Sequence, residues 1–409
     1  MTMDGRAESG ALLLRRVRPM GGPAVDLLIR DGRIAASGSA LAAEPGVAEL
    51  DGADALALPG LVDAHAHIDK TLWGLAWHSN LSGPRVADRI SYERRVLGDM
   101  ALPPAARSGA LLRHMAARGT THVRSHVDIG PDIGLRHLEA ILALRERWRG
   151  FMDIQIVAFP QTGVMIHPGT LDLLDAAIGL GAEVIGGLDP CSIDRDPKGQ
   201  LDGIFAIADR RGVGVDIHLH DRGELGAFQV ELIAERTRAL GLKGRVAISH
   251  AFCLGGVEEA QLAELIGLLA DNDIAIMTHG PMGSTPFPPI RRLHDAGIRL
   301  FTGSDGVRDA WGPLNTGDML ERAFLLAYRS NFRDDSGLAL ALDLATFGGA
   351  RVIGAAGYGL AVGDRADLVL VDARTVGEAV VAHGPRSVVL KGGRVIARAG
   401  APSPDLPGD

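Results

Sequence analysis

Two histidines lie two residues apart in the apolar segment LVDAHAHIDK, which follows Pro59-Gly60. In a β-strand, residues i and i+2 point to the same face, so His65 and His67 can reach one metal ion. Zn²⁺ binds imidazole nitrogen at about 2.0–2.1 Å, and one strand can supply two such ligands. A pair of hydrogen-bonded core histidines is the alternative, but apolar strands rarely carry two histidines in phase. The segment therefore predicts part of a metal site.

Two further segments carry residues that could complete this site. His218 lies near the end of VDIHLHD, and Asp305 lies near the end of FTGSDG. Three imidazoles and one carboxylate suit Zn²⁺, and they also suit Fe²⁺ or Mn²⁺. His250, near the end of VAISHAF, could be a further ligand or could orient a metal-bound water.

A divalent ion with an open coordination position would direct such a site toward hydrolysis. The ion lowers the pKa of its bound water and supplies hydroxide, which attacks an sp² carbon. A leaving nitrogen then needs a proton. The acid–base candidates are His220, Asp221, His250 and Asp305. Together these residues predict hydrolysis of a carbon–nitrogen bond.

Apolar runs alternate with amphipathic stretches between residues 60 and 354. These runs must position the candidate metal ligands and acid–base residues. The runs are Leu61–Asp69, Thr121–Asp128, Ile154–Pro160, Glu183–Asp189, Gly214–Asp221, Val246–Phe252, Ile274–His279 and Arg299–Asp305. Eight βα units in roughly 290 residues fit a (β/α)8 barrel, and a doubly wound open sheet is the alternative. Polar residues fall at the C-terminal ends of the runs, where barrel enzymes build their active sites.

The remaining histidines receive weaker assignments from the same pattern. His122 begins a run and should face the opposite end of the barrel. His137 lies in a helical pattern and is expected on the surface or between helices. For His126 and His279, a functional and a structural role both stay open.

Both ends of the chain are rich in β signals. AVDLLIRDGRIAASG indicates two strands joined by Asp31-Gly32, and SVVLKGGRVIARAG indicates two strands around Gly392-Gly393. The two ends predict one small β domain built from both termini. The chain would then divide into residues 1–58, 59–354 and 355–409.

The composition favours an enzyme that acts on small molecules. The chain has 409 residues, a formal net charge of −8 and scattered Lys and Arg, so a nucleic-acid partner has no electrostatic support. Two cysteines define no disulfide framework, which favours a reducing compartment. No run approaches the roughly 20 apolar residues of a membrane span, and the apolar run Ala11–Leu14 near the N-terminus is too short for a signal peptide. We expect a cytoplasmic protein without a nucleic-acid or membrane partner.

Five segments in this order resemble the amidohydrolase superfamily, in particular its cytosine deaminase-like branch. They are LPGLVDAHAHIDK, SHVD, VDIHLHD, ISHAF and FTGSDGVRDAW, and the resemblance covers essentially the whole chain. It implies an α/β fold, a metal-dependent (β/α)8 TIM-like barrel with a small β-sandwich domain formed by both termini. It also implies one ion, first of all Zn²⁺, bound by His65, His67, His218 and Asp305, because the run ending VIGGLDP lacks the lysine of two-ion members. Many relatives are oligomers, so the resemblance allows a homo-oligomer.

Four residues are candidates for binding the substrate. Lys70 matches a lysine that faces the substrate in triazine-hydrolysing members of this branch. Gln161 matches a glutamine that binds the amide edge of a heterocycle. Asp189, at the end of the fourth run, could contact the substrate or cap a helix, and Trp311 could stack on a planar ring.

The resemblance leaves the acid–base assignment open and contains one departure. His220 matches an acid–base histidine of triazine hydrolases, whereas Asp221 falls where cytosine deaminases have a proton-shuttling glutamate. His250 matches a residue beside the ion and the water. A second carboxylate follows the metal-binding aspartate in relatives, but Gly306 stands here, which argues against cytosine itself as the substrate. Asp309, three residues on, could cap the loop, and its role is open.

The residues and the resemblance together predict a metal-dependent hydrolytic deaminase. It would release ammonia or an alkylamine from a pyrimidine- or s-triazine-type heterocycle by metal-hydroxide attack on a ring carbon. Hydrolysis of a cyclic or linear amide on the same barrel is the alternative. A barrel that binds a metal and a ligand without turnover is a third hypothesis, and amine release from small heterocycles separates the three.

Overall fold

The structure is a computed structural model that describes residues 10–98, 100 and 102–408. The strands are β1 (Ala11–Pro19), β2 (Val25–Arg30), β3 (Arg33–Gly38), β4 (Ala48–Asp51), β5 (Leu56–Pro59), β6 (Leu61–Ala66), β7 (Thr120–Asp128), β8 (Asp153–Phe159), β9 (Val184–Leu188), β10 (Gly214–His218), β11 (Val246–Ser249), β12 (Ala275–Met277), β13 (Leu300–Phe301), β14 (Leu368–Val371), β15 (Arg386–Lys391), β16 (Arg394–Arg398) and β17 (Ala401–Pro402). The helices are α1 (Val86–Gly98), α2 (Pro104–Ala117), α3 (Arg136–Arg147), α4 (Thr170–Leu180), α5 (Pro197–Arg211), α6 (Gly223–Ala239), α7 (Glu259–Asp271), α8 (Ile290–Asp295), α9 (Met319–Arg329), α10 (Asp335–Asp343), α11 (Gly349–Ile353) and α12 (Val376–Ala382). From β6 to β13, at least one helix follows every strand.

The eight strands from β6 to β13 form one parallel sheet in chain order. β13 returns to β6, because the Asp305 amide donates to the His65 carbonyl at 2.8 Å and Ala66 forms a parallel bridge with Asp305. The sheet is a nearly closed barrel, which confirms the (β/α)8 prediction over the open doubly wound sheet. Most strands end before the apolar runs do, since the polar residues that close the runs turn into loops.

The helices pack on the barrel through apolar faces with helical spacing. In α7, Leu262, Leu265, Ile266 and Leu269 are buried, while the charged residues point outward. Amphipathic stretches between the apolar runs form helices such as α2, α3, α5 and α7. This layer covers the barrel and leaves its C-terminal end open.

Both termini form a second, mostly antiparallel sheet with the order β17-β16-β15-β14-β5-β1-β2-β3, and β4 pairs with β1. Asp31 and Gly32 have φ values of 49° and 74°, the left-handed conformation required by a tight hairpin between β2 and β3. The pairing of β14 with β5 joins the two ends of the chain. A separate domain from both termini is thereby confirmed. Its boundaries after residues 58 and 354 stay a prediction, and residues 1 and 409 lie outside the described residues.

A buried ion cluster joins the terminal sheet to the N-terminal end of the barrel. Lys391 of β15 lies 2.7 Å from both Asp153 and Asp367, and the His122 imidazole lies 3.2 Å from Asp153. Asp367 and Lys391 are buried. As predicted, His122 faces away from the catalytic end, and here it contacts the second domain.

One continuous helical segment differs from the sequence expectation. Residues 335–353 form α10, a π-helical turn (Leu344–Gly348) and α11, with a mean hydropathy of 1.3, which is long and apolar enough for a membrane span. However, 56% of this window is buried within the protein. A Cβ on Gly348 would lie 2.4 Å from the Leu300 carbonyl oxygen, and one on Gly349 would lie 2.8 Å from Val62 Cγ1. The segment is apolar because it packs directly on β6 and β13.

Candidate active site

The four predicted metal ligands converge at the C-terminal end of the barrel. His67 Nε2 lies 3.2 Å from Asp305 Oδ1 and 3.4 Å from His218 Nε2. His65 Nε2 lies 3.8 Å from Asp305 Oδ1. β6, β10 and β13 each bring their ligand to this point, because parallel strands end on the same edge of the barrel.

A proton-sharing chain fixes which nitrogen of His65 faces this centre. The Ser249 hydroxyl donates to Asp216 Oδ1 at 2.6 Å and lies 3.0 Å from His65 Nδ1. Because its proton is given to Asp216, Ser249 accepts from Nδ1–H of His65. The lone pair of His65 Nε2 is therefore directed at the centre, as a metal ligand of this kind requires.

The residues present fit a divalent ion. His65 Nε2 and His250 Nε2 are buried without a hydrogen-bond partner within residues 10–98, 100 and 102–408. Burial, reinforced by neighbouring imidazoles, holds the pKa values of His65, His218 and His250 well below their ordinary value, so these rings are neutral and can bind a cation. Burial opposes charge on Asp305, but the hydrogen bond with His67 and the field of His250 hold its pKa well below the ordinary value. Neutral imidazoles and an ionised carboxylate are the donor set of zinc-type sites.

His126 and His279, which the sequence left open, both lie at this centre. The His126 ring centroid is 4.1 Å from that of His65, and both its nitrogens are buried without a hydrogen-bond partner in the described part of the chain. His279 Nδ1 lies 3.3 Å from His250 Nδ1 and 3.9 Å from Asp305 Oδ2. The centre therefore holds more imidazoles than the four-residue set requires.

His220 is held by Asp189 through two contacts. The His220 amide donates to Asp189 Oδ1 at 2.6 Å, and His220 Nδ1 lies 2.8 Å from Asp189 Oδ2. Burial opposes charge on His220, but the Asp189 carboxylate outweighs it and raises the pKa of His220. Both Asp189 oxygens contact His220, and Asp189 also lines the cavity, so its predicted contact with substrate stays a prediction.

Asp221 and His250 complete this wall of the site. The Asp221 carboxylate accepts from Gln229 Nε2 at 2.9 Å and from the Ser192 amide at 3.3 Å. The His220 ring stacks on His250, with centroids 4.3 Å apart. His220 is thus directly beside the predicted metal ligands, whereas Asp221 has its Oδ2 held by two protein donors.

Lys70 forms the opposite wall and is only 2% exposed. Its ammonium donates to Gln161 Oε1 and lies 3.3 Å from Asp128 Oδ1 and 3.7 Å from Glu93 Oε2. Burial opposes the charge, but the Asp128 and Glu93 carboxylates raise the pKa of Lys70. The Trp311 ring lies 5.9 Å from the ammonium.

A buried charge network behind Lys70 was missed by the sequence analysis. Arg94 of α1 lies 3.1 Å from Asp128, and His137 of α3 lies 2.8 Å from Asp69. The partly buried His137 is therefore an interhelix residue with a defined partner. Glu93 and Arg94 carried no motif signal, and only the position of α1 brings them to Lys70.

One cavity of about 600 Å³ opens on these groups. Every predicted site residue except His65 lines it, and His65 is fully buried behind the other ligands. Arg89 and Arg222 line it as well. The volume suits one small planar molecule with a substituent.

The chain belongs to the amidohydrolase family, whose model matches residues 105–397. It is a hydrolase of carbon–nitrogen bonds other than peptide bonds, on a barrel whose relatives bind a divalent metal. Its structure is similar to that of N-isopropylammelide isopropylaminohydrolase from Burkholderia multivorans ATCC 17616, with 48% identity, a TM-score of 0.93 and coverage of 96% of this chain and 100% of that one.

Two further relatives support the same branch. N-isopropylammelide isopropyl amidohydrolase from Pseudomonas sp. (strain ADP) is 31% identical over 363 residues, which cover 86% of this chain and 88% of the relative. The structure of 5-methylcytosine deaminase from Klebsiella pneumoniae liganded with phosphonocytosine is 26% identical, with a TM-score of 0.82 and coverage of 95% and 98%. The predicted membership of the cytosine deaminase-like branch is confirmed.

Proposed function

We propose that the protein is a metal-dependent aminohydrolase that releases ammonia or an alkylamine from a pyrimidine- or s-triazine-type heterocycle. The observation that carries the proposal is the convergence of His65, His67, His218 and Asp305 beneath one cavity. The relatives named for N-isopropylammelide favour a triazine and an alkylamine.

The four residues at the base would hold a divalent ion, zinc in the first place. When bound, such an ion lowers the pKa of water and makes it a nucleophile at neutral pH. His250, buried beside Asp305 and stacked on His220, would orient that water. The unpartnered His250 Nε2 supports this role.

We assign the proton transfer to His220. The sequence had left this role open between His220 and Asp221. Asp189 holds Nδ1 of His220, which leaves Nε2 to exchange a proton with the departing nitrogen. A raised pKa supplies a protonated imidazole to the amine. Asp221, already bound by Gln229 and Ser192, would contribute mainly through its charge.

Lys70, Gln161 and Trp311 would bind the ring. Lys70 can donate to a ring oxygen and stabilise developing negative charge there. Because the Gln161 oxygen is taken by Lys70, its Nε2 is left as a donor. The Trp311 indole, 5.9 Å from both Lys70 Nζ and Arg89 Cζ, offers a face for stacking.

The setting in the cell is part of the proposal. Cys191 and Cys253 are free thiols, as in a reducing compartment, so we place the enzyme in the cytoplasm. We also propose a homo-oligomer, and a small heterocycle as the partner rather than nucleic acid or a membrane.

Amine release tests the proposal directly. Purified protein is incubated with N-isopropylammelide, cytosine and pterin, and isopropylamine, ammonia and any new carboxylate are quantified beside the bound metal. We expect amine without carboxylate from at least one ring. His65→Ala and His67→Ala should lose metal and turnover together, whereas His294→Ala, on an exposed histidine, should lose neither.

Three results would contradict this function. A carboxylate product without loss of an exocyclic amine would identify an amide hydrolase. Full turnover by metal-free His65→Ala would exclude the metal-dependent mechanism, and metal binding without turnover of any ring would favour the non-catalytic barrel.

A further inference from the structure

The loop after β13 contains a glycine whose side-chain space is filled by another residue. An ideal Cβ on Gly306 would lie 1.8 Å from Oδ2 and 2.6 Å from Cγ of Asp309. Such a separation is far below van der Waals contact, so no side chain fits at position 306 while Asp309 keeps this conformation. Both residues line the cavity.

The two oxygens of Asp309 have different surroundings. Oδ1 accepts from the Trp311 amide at 2.8 Å and from the Gly312 amide at 3.1 Å, so it closes the turn that carries the indole. Oδ2 accepts no hydrogen bond from the residues that the structure describes. Loop closure therefore explains one oxygen and leaves the other beside the empty position at Gly306.

The position of Oδ2 matters because Asp309 is only 6% exposed. Asp309 lines the cavity, and a molecule that covers Oδ2 there removes its remaining hydration, which is unfavourable unless that molecule supplies a donor. Lys70 counters the burial that raises the pKa of Asp309, but its ammonium donates to Gln161 and makes no hydrogen bond to Asp309 Oδ2 within the described residues. A donor from a molecule in the cavity would satisfy the remaining oxygen.

We propose that Asp309 Oδ2 is a specificity-determining acceptor that binds a ring N–H of the heterocycle. With Lys70 and Gln161 Nε2 as donors, the cavity would recognise an –NH–CO– edge, the oxygen on the donors and the N–H on Asp309. The ligand class is an oxo-heterocycle with an unsubstituted ring nitrogen. The inference rests on the proposed function and adds the identity of the ring edge to it.

Ring N-methylation tests this inference. We compare kcat and KM for N-isopropylammelide and cytosine with those of their ring N-methyl derivatives, one for each ring N–H. The wild type should prefer N–H over N–CH₃ at one position on the order of 10- to 100-fold, as expected for a hydrogen bond to a charged group.

Two variants remove the acceptor by different routes. Asp309→Asn keeps an oxygen for the Trp311 and Gly312 amides and replaces Oδ2 by a donor. Gly306→Ala leaves the charge in place and displaces Oδ2, and it keeps the inference testable if Asp309→Asn does not fold. Both should keep their metal and lose most of the N–H preference, mainly through KM for the N–H substrate. Asp334→Asn, which alters an exposed aspartate that caps α10, should keep the wild-type preference.

Three results would overturn the proposed role of Asp309 Oδ2. If the folded variants retain the preference, or lose N–H and N-methyl substrates equally, Asp309 only closes the loop. If the wild type turns over N-methyl and N–H rings equally well, Oδ2 does not bind a ring N–H. If the wild type turns over no ring at all, the proposed function fails and this inference fails with it.

Discussion

Asp189 shows how a single residue can serve the site by holding a neighbouring side chain in place. Its two oxygens bind the amide and Nδ1 of His220, and its φ of 34° reflects the sharp turn that brings it there. A carboxylate in this position fixes the orientation of the imidazole and stabilises its protonated form. The sequence pattern placed Asp189 at a strand end correctly, but it could not show which neighbour the carboxylate would bind.

Asp189→Asn tests this positioning role. We expect kcat to fall on the order of 10²-fold with little change in KM, because the proton transfer loses its support while the ring-binding residues remain. Metal content should match the wild type. Steady-state kinetics on the best heterocycle provide the measurement, and Asp196→Asn, at the exposed N-cap of α5, is the matched control. An unchanged kcat would show that His220 does not need Asp189.

At the scale of elements, α1 is anchored to the barrel by Arg94, which pairs with Asp128, and by Glu93, which lies beside Lys70. Glu93 and Arg94 come from one helix, and Lys70 and Asp128 come from the ends of β6 and β7. Replacing one member of a buried pair leaves the other uncompensated, so these contacts fix α1 over the cavity. Burial raises the pKa of Glu93 to about 8, and Lys70 opposes that shift only in part.

Glu93 makes stability depend on pH in a direction that can be worked out. Its ordinary pKa is 4.5, so between that value and about 8 the folded state binds more protons than the unfolded state. The contribution is present below pH 4.5 and is lost as pH rises through 8. The free energy of unfolding of the wild type should therefore fall relative to Glu93→Gln by on the order of 1 kcal/mol per pH unit across this window.

Urea denaturation at pH 5, 6, 7 and 8 measures this difference. Glu264→Gln, on the exposed face of α7, should follow the wild type at every pH. A constant difference between Glu93→Gln and the wild type would show that Glu93 is ionised throughout.

At the scale of the whole molecule, Lys391 links the two domains at the end of the barrel opposite the cavity. Its ammonium pairs with Asp153 and Asp367 and approaches His122. The terminal sheet thus stabilises the barrel from below, while the ligands and the cavity lie above. Stability and catalysis are carried by opposite ends of the same strands.

Lys391→Met should lower the stability of the protein without changing its catalytic activity. We expect a loss of about 3–5 kcal/mol in the free energy of unfolding, because Asp367 loses its buried cation and keeps only the part-exposed Arg365 as an ion-pair partner. Metal content and kcat of the folded fraction should stay at wild-type values. Lys198→Met, which breaks an exposed pair with Asp202, should change stability by less than about 1 kcal/mol. Equal losses for both lysines would exclude a linking role.

The sequence by itself determined the barrel, the domain built from both termini and the residues that approach the metal centre. The barrel and its active end follow from local periodicity: alternation places His65 and His67 on one face, and parallel strands all end at one edge. The pairing of the two chain ends was implied by the resemblance to a known family. Tertiary structure decided which loop residue meets which. The pairing of Asp189 with His220, of Glu93 and Arg94 with the site, and of Asp309 with Gly306 depends on loop paths. Such contacts join segments that no short-range pattern relates, and packing alone brings their side chains into contact.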